Sequence, residues 1–117
     1  NEIDSNSLKL IFDTGNFWEF NYSSLEFYKK IKEHVIHIHI KDYKKNLAAE
    51  KGWSAEFPGK GAGEVKAVLE ELKRDNYTGW YSIEPHLVAV AHEGKDATTE
   101  NSYDLFIEYG RQFEKLL

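Results

Sequence analysis

The stretch Val35-Ile36-His37-Ile38-His39-Ile40-Lys41-Asp42 constrains this chain more than any other. Its polar and apolar residues alternate, and alternation with period two marks a β-strand whose successive side chains point to opposite faces. Ile36, Ile38 and Ile40 then share a face suited to packing on helices, while Val35, His37, His39 and Lys41 share the other. A strand with one dry face and one face of imidazoles fits an α/β barrel, where helices cover the outside and polar groups gather inside, at the C-terminal end of each strand.

The flanking sequence keeps the same rhythm. Leu8 to Asp13 reads as a strand with Leu8, Leu10 and Phe12 on one side and Lys9, Ile11 and Asp13 on the other. Thr14-Gly15-Asn16 breaks it, and Ser23-Ser24-Leu25-Glu26 offers a capping box with Ser23 as N-cap. A helix is predicted from there to about Glu33, with Leu25, Tyr28 and Ile31 facing inward. After the histidine strand, Lys41 to Ala62 reads as a long connection, a length that in compact domains marks a lid or a binding loop. It runs into Gly59-Lys60-Gly61-Ala62-Gly63, after which Val65, Val68, Leu69 and Leu72 have the spacing of an amphipathic helix. Trp80 to Glu84 is a short strand with Trp80, Ser82 and Glu84 on one face, stopped by Pro85. A last helix, capped near Thr98 or Thr99, places Tyr103, Phe106, Ile107, Gly110, Phe113 and Leu117 along one stripe.

Three strands thus alternate with three helices, and right-handed crossovers make the strands parallel, with their C-terminal ends on one edge. That edge receives Asp13, His39 and Glu84. Each has an ordinary explanation alone: an Asp that forms a turn, a His hydrogen-bonded in a core, a Glu that marks the surface before a proline. Inward register on three separate strands is what raises the functional reading. Buried carboxylates and imidazoles are costly unless paired or metal-bound, so a convergent cluster is best explained by a shared divalent cation.

Length and composition bound the rest. The 117 residues form one domain but fall far short of the roughly 250 of a complete eight-stranded barrel. Three strands cannot close such a barrel, and an open sheet leaves edges and an inner face exposed. The expected partner is therefore the missing N-terminal part of the barrel or another copy of the chain. There is no Met anywhere, which fits a sequence that begins inside a longer gene product. A net charge of −5 argues against nucleic acid as a bulk partner, since binding to phosphates is dominated by Lys and Arg. The absence of cysteine excludes disulfides and thiolate metal sites. No apolar run approaches the roughly 18 residues of a membrane span and the first residues lack a signal-peptide layout, so no membrane partner is expected and the cytoplasm is the default location.

Four ordered motifs resemble one family: Phe12-Asp13-Thr14-Gly15-Asn16, His37-Ile38-His39-Ile40-Lys41-Asp42, Gly59-Lys60-Gly61-Ala62-Gly63-Glu64-Val65 and Gly79-Trp80-Tyr81-Ser82-Ile83-Glu84-Pro85. From about residue 8 to residue 117 the chain looks like the last three strand-helix units of the xylose isomerase-like TIM barrel superfamily. This includes sugar and sugar-phosphate isomerases and epimerases, inosose dehydratases and endonuclease IV-type repair nucleases. The resemblance implies that residues 1–117 are the C-terminal portion of a TIM-type (β/α)8 barrel, incomplete here, and that Asp13, His39 and Glu84 are ligands of a divalent metal. A fourth ligand, a Glu on the strand before Asp13, would lie outside the chain. Mixed carboxylate and imidazole ligands suit Mn, Mg, Co, Fe or Zn alike.

The resemblance further implies that Glu84 is catalytic, one of two carboxylates that move a proton at the carbon beside a carbonyl while the metal polarises the oxygens. The leading expectation is isomerisation or epimerisation of a sugar or sugar phosphate; the alternatives are a dehydratase of the same superfamily and a non-catalytic binding module. Because the second carboxylate is missing, the fragment alone is expected to be inactive. Asn16 stands where many relatives have His, and Asp42 to Gly63 contains no His where the nucleases place an Asp-x-His pair, so DNA repair is not expected.

Other candidates follow from position. Asn16 can hydrogen-bond a sugar hydroxyl. His37, one layer below His39, is expected to support it rather than to ligate. Lys41, at the mouth, is either a substrate contact or a solvated lysine. The glycines at 59, 61 and 63 precede a helix as a phosphate cradle would, but without the nucleotide-binding context, so a tight loop closing over the substrate is the preferred reading and Lys60 a candidate substrate contact. His86 is placed to line the pocket, while His34 and His92 belong to the surface. Trp18, Trp53 and Phe57 are either plugs between loops or an apolar wall for a sugar ring.

Overall fold

The computed structural model describes residues 5, 7–17, 20–87 and 102–117. The elements are β1 (Leu10–Asp13), α1 (Ser24–Ile31) followed by a 3-10 turn (Lys32–His34), β2 (Val35–Ile40), β3 (Asp42–Lys45), β4 (Trp53–Glu56), α2 (Val65–Arg74), β5 (Trp80–Ile83) and α3 (Ser102–Glu114). Among them β1, β2 and β5 form a parallel sheet in that spatial order, so the predicted strand-helix rhythm holds and the sheet is part of a TIM barrel that is not closed. None of the described helices is long and apolar enough to cross a membrane.

The register aligns the chemistry. A one-residue shift between Leu10 and Ile11 brings Ile11 opposite His37 and Asp13 opposite His39. On the other side of β2, His37 is opposite Trp80 and His39 opposite Ser82. One face of the sheet therefore carries a row Ile11, His37, Trp80 and, above it, a row Asp13, His39, Ser82. The lower row is open, with Ile11 61% and Trp80 79% exposed.

The other face holds the core. Phe12, Ile38 and Ile40 pack with Tyr28 of α1, with Val65, Val68, Leu69 and Leu72 of α2, and with Tyr109 and Phe113 of α3. Each side chain so buried contributes roughly 1.5–3 kcal/mol of transfer free energy. At the start of β2 the predicted faces are exchanged: Ile36 does not join Ile38 and Ile40 in this core but is 55% exposed, while Val35, expected on the imidazole face, is buried in it.

Three further expectations are corrected. The connection from Lys41 to Ala62 is not irregular: Asp42–Lys45 and Trp53–Glu56 pair as an antiparallel hairpin, held by the Lys44–Glu56 ion pair at 2.6 Å and by the Tyr43 and Trp53 rings at 4.3 Å. The stripe of α3 is rotated. Tyr109 and Phe113 face the core, with the Tyr109 hydroxyl donating to the Ile40 carbonyl at 3.3 Å, whereas Tyr103, Phe106 and Leu117 are exposed. The capping box at α1 is also shared differently. Ser23 accepts from the Glu26 amide as expected, but the Glu26 carboxylate turns to Lys29, and Glu64, from the start of α2, bonds the Ser23 hydroxyl at 2.8 Å and the Leu25 amide at 3.3 Å. The predicted cap of the last helix at Thr98 or Thr99, and Trp18 and His92, lie outside the described residues.

Candidate metal centre

Asp13 ends β1, and its position is fixed by the turn that follows. Its Oδ1 accepts from the Gly15 amide at 2.7 Å and the Asn16 amide at 3.1 Å, which is the local bonding that Asp favours at a strand end. Thr14 locks this turn to the neighbouring strand: its hydroxyl donates to the Lys41 carbonyl at 2.7 Å and accepts from the Lys41 amide at 3.0 Å. Oδ2 of Asp13 is left to face the sheet edge, where β2 brings His39 and the end of β5 brings Glu84. The Glu84 amide donates to the Ile40 carbonyl at 3.0 Å, which extends the ladder by one bond and holds Glu84 over the edge.

The three side chains meet. A carboxylate oxygen of Asp13, a ring nitrogen of His39 and a carboxylate oxygen of Glu84 all lie within 4.8 Å of one another, near enough for a single ion to touch all three. Glu84 Oε2 is 3.4 Å from His39 Nδ1. Two carboxylates and one imidazole form a donor set of the hard-to-intermediate kind that suits a divalent cation. Residues present and chemistry required therefore fit.

The surrounding groups sort the remaining candidates. Lys41 is buried, and its Nζ lies 3.1 Å from Glu84 Oε2, 3.4 Å from Asp13 Oδ2 and 3.3 Å from Asn16 Oδ1, so it is inside the cluster rather than solvated at its mouth. Asn16 is exposed beside it. His86 Nε2 is 2.9 Å from Glu84 Oε1 and its Nδ1 is 3.3 Å from the Tyr43 hydroxyl, which ties the hairpin to Glu84 without occupying Oε2. His37 supports from below: its Nε2 is 2.7 Å from the Ser82 hydroxyl and its ring stands edge-on to that of His39 at 5.4 Å. Lys60 is not brought to the cluster. It is exposed, with its ammonium over the Phe57 ring at 5.4 Å. His34 is exposed, as expected.

The carboxylates differ in electrostatics. Burial raises the pKa of Asp13 above the ordinary value, with the Lys41 charge and the Gly15 amide acting against it. Burial acts upward on Glu84 too, but its bonds to His86 and Lys41, with that to Asp13, prevail and hold it at about 2. The two neighbouring carboxylates are thus shifted in opposite directions, Glu84 toward the ionised form and Asp13 away from it.

One element was missed in the sequence. Asp42, next to Lys41, is 1% exposed, and it accepts four backbone bonds: from Gly59 at 2.8 Å and Gly61 at 2.9 Å on Oδ2, and from Gly63 at 2.8 Å and Tyr43 at 2.9 Å on Oδ1. The glycine loop is thus a cradle for a carboxylate of this same chain rather than for a phosphate. A Cβ at Gly61 would collide with the Tyr43 carbonyl oxygen and Asp42 Oδ1, which is why glycine is needed there. The signal in the sequence was the pairing of a lone Asp at a strand end with three glycines at alternate positions.

The sequence is similar to inosose dehydratases: that of Clostridium botulinum (strain Eklund 17B / Type B) is 27% identical over 124 residues, covering 96% of this chain and 39% of the relative. That of Histophilus somni (strain 129Pt) is 29% identical over 98 residues, covering 71% of this chain and 33% of the relative. For that of Lacticaseibacillus casei the identity is 26% over 93 residues, with 69% and 31% covered. The chain therefore spans between about a third and two fifths of the length of these relatives. The family described as xylose isomerase-like TIM barrel matches residues 1–106, and with three parallel strands and their helices in the corresponding order, the chain belongs to that family.

Proposed function

We propose that this chain supplies the metal-binding edge and one catalytic carboxylate of an enzyme that removes a proton from the carbon beside a carbonyl in a polyhydroxylated substrate, a sugar or sugar-like ring. The observation that carries the reading is the convergence of Asp13, His39 and Glu84 within 4.8 Å at the C-terminal edge of a parallel sheet. A divalent ion held by these three would polarise the carbonyl and a neighbouring hydroxyl, making the adjacent C–H acidic. Glu84, kept ionised by Lys41 and His86, is in the state needed to accept that proton. Asn16 and Lys41 provide a hydrogen-bonding and a cationic contact for substrate oxygens on the same side.

Two outcomes share this step. Return of the proton gives isomerisation or epimerisation; loss of a hydroxyl from the next carbon gives dehydration. The second reading is favoured by the relatives, which are inosose dehydratases. The open row of Ile11, His37 and Trp80 also supports a completed barrel, in which further strands of a longer polypeptide, or of a second copy, cover this face and bring the other carboxylate. DNA is not the substrate we propose, given Asn16 and the absence of histidine between Asp42 and Gly63.

The test uses the protein at the full length its gene encodes, with Mn2+ and a panel of aldoses, ketoses and cyclic keto-polyols in D2O. Deuterium incorporation beside the carbonyl reports proton removal, and product analysis separates isomer from dehydrated product. Glu84→Gln is expected to lower exchange by about 10²–10⁴-fold. Exchange that survives this substitution, or no exchange with any of the panel, overturns the proposal.

A further inference from the structure

Lys41 is held more deeply than the substrate contact named above requires. A lysine that only meets substrate would extend past the ligands toward solvent. Instead its side chain is 8% exposed, its stem lies against Gly15, where a Cβ would meet Lys41 Cγ at 2.9 Å, and its ammonium is directed between Asp13 Oδ2 and Glu84 Oε2. The bonds from Thr14 to its amide and carbonyl fix its backbone on the same strand end that presents His39. With the backbone so held, any movement of the ammonium falls to the side chain.

We propose that Lys41 is the resident counter-cation of this centre: its ammonium balances the Asp13–Glu84 pair, competes with a divalent ion for these oxygens, and turns to Asn16 and the substrate side when the ion enters. This rests on the metal reading given above. Two like charges at such separation repel strongly in a partly buried site, and two carboxylates already neutralised by an ammonium attract a divalent ion less. The lysine thus sets a weak, exchangeable metal affinity, and the displaced ammonium becomes a cation at the position where a substrate oxygen gains negative charge. Its third contact, Asn16 Oδ1 at 3.3 Å, already marks the direction of that movement.

Isothermal titration of the full-length protein with Mn2+ alone, without substrate, tests this. Lys41→Met and Lys41→Gln remove the charge and are expected to tighten Mn2+ binding by on the order of tenfold or more, while Lys41→Arg, which keeps it, stays near the wild type. Two neutral variants are used so that one that fails to fold leaves the other to decide, with circular dichroism as the check. Unchanged or weaker binding by the neutral variants overturns the role of Lys41 and leaves the metal centre standing. No uptake by the wild type or any variant overturns the metal centre itself, and this inference with it.

Discussion

Lys41 and Asp42 are consecutive, yet they belong to two acidic environments that solve the same problem in opposite ways. Asp42 is satisfied by four backbone amides, from three glycines and Tyr43, at 2.8–2.9 Å. Glu84 is satisfied by side chains, the Lys41 ammonium and the rings of His39 and His86, and Asp13 keeps two amides on Oδ1 but turns Oδ2 to Lys41. Amides are fixed by the fold and cannot leave, so the first arrangement is structural. Side-chain partners can move aside for another cation, so the second remains open to chemistry. What separates a structural carboxylate from a functional one is here the mobility of its partners, since Asp13 and Asp42 are both buried.

The sharpest way to break this contrast is to truncate each carboxylate. Asp42→Ala strands four amide donors and is expected to cost about 3 kcal/mol or more of stability in urea denaturation, whereas Asp13→Ala strands two, one of them at exposed Asn16, while relieving a carboxyl disfavoured by burial, and should cost about 1 kcal/mol. Equal losses would erase the distinction. A glycine pair gives a smaller effect of the same kind. Gly61→Ala meets backbone and the caged carboxylate and should cost about 2 kcal/mol, while Gly15→Ala meets the stem of Lys41, a flexible chain that can yield, so the loss there should stay below about 1 kcal/mol. The smallest effect is in titration. By carboxyl 13C NMR of the metal-free protein, Asp13 should titrate above its ordinary 3.8 and Glu84 near 2. Because the folded value of Glu84 is depressed, its stabilising contribution is complete above about 4.5 and is lost as the pH falls toward 2, while the raised value of Asp13 makes its ionisation cost stability as the pH rises through 3.8 and beyond. Coincident midpoints would show that the cluster does not distinguish its two acids.

The sequence carried the parallel strands and the edge because period-two alternation and strand order decide which residues share a face. Asp13, His39 and Glu84 follow from register alone. The hairpin was hidden because β3 and β4 have four residues each and β3 ends in exposed Lys44 and Lys45, so no alternation of apolar residues announces it. The face of α3 was misjudged because its apolar residues, Tyr103, Phe106, Tyr109 and Phe113 among them, allow more than one stripe, and only the position of the sheet selects Tyr109 and Phe113. The role of Asp42 was overlooked for another reason: its only signal was the spacing of three glycines. A carboxylate that seeks backbone amides leaves no complementary charge in the sequence to be matched with it.

The clasp at Asp42 has a consequence for how such a protein can diversify. It joins the strand end at Tyr43 to the returning loop at Gly59, Gly61 and Gly63, so the excursion between them is closed at its base, independently of its tip. The tip turns through Asn46 to Gly52, whose backbone bond at 2.9 Å closes it, and it exposes Leu47 to solvent. Lengthening a loop whose ends are already tied costs only about 0.6 kcal/mol per doubling. The tip is thus an interchangeable cassette: its length and side chains can be rewritten while the strand that presents His39 keeps its register.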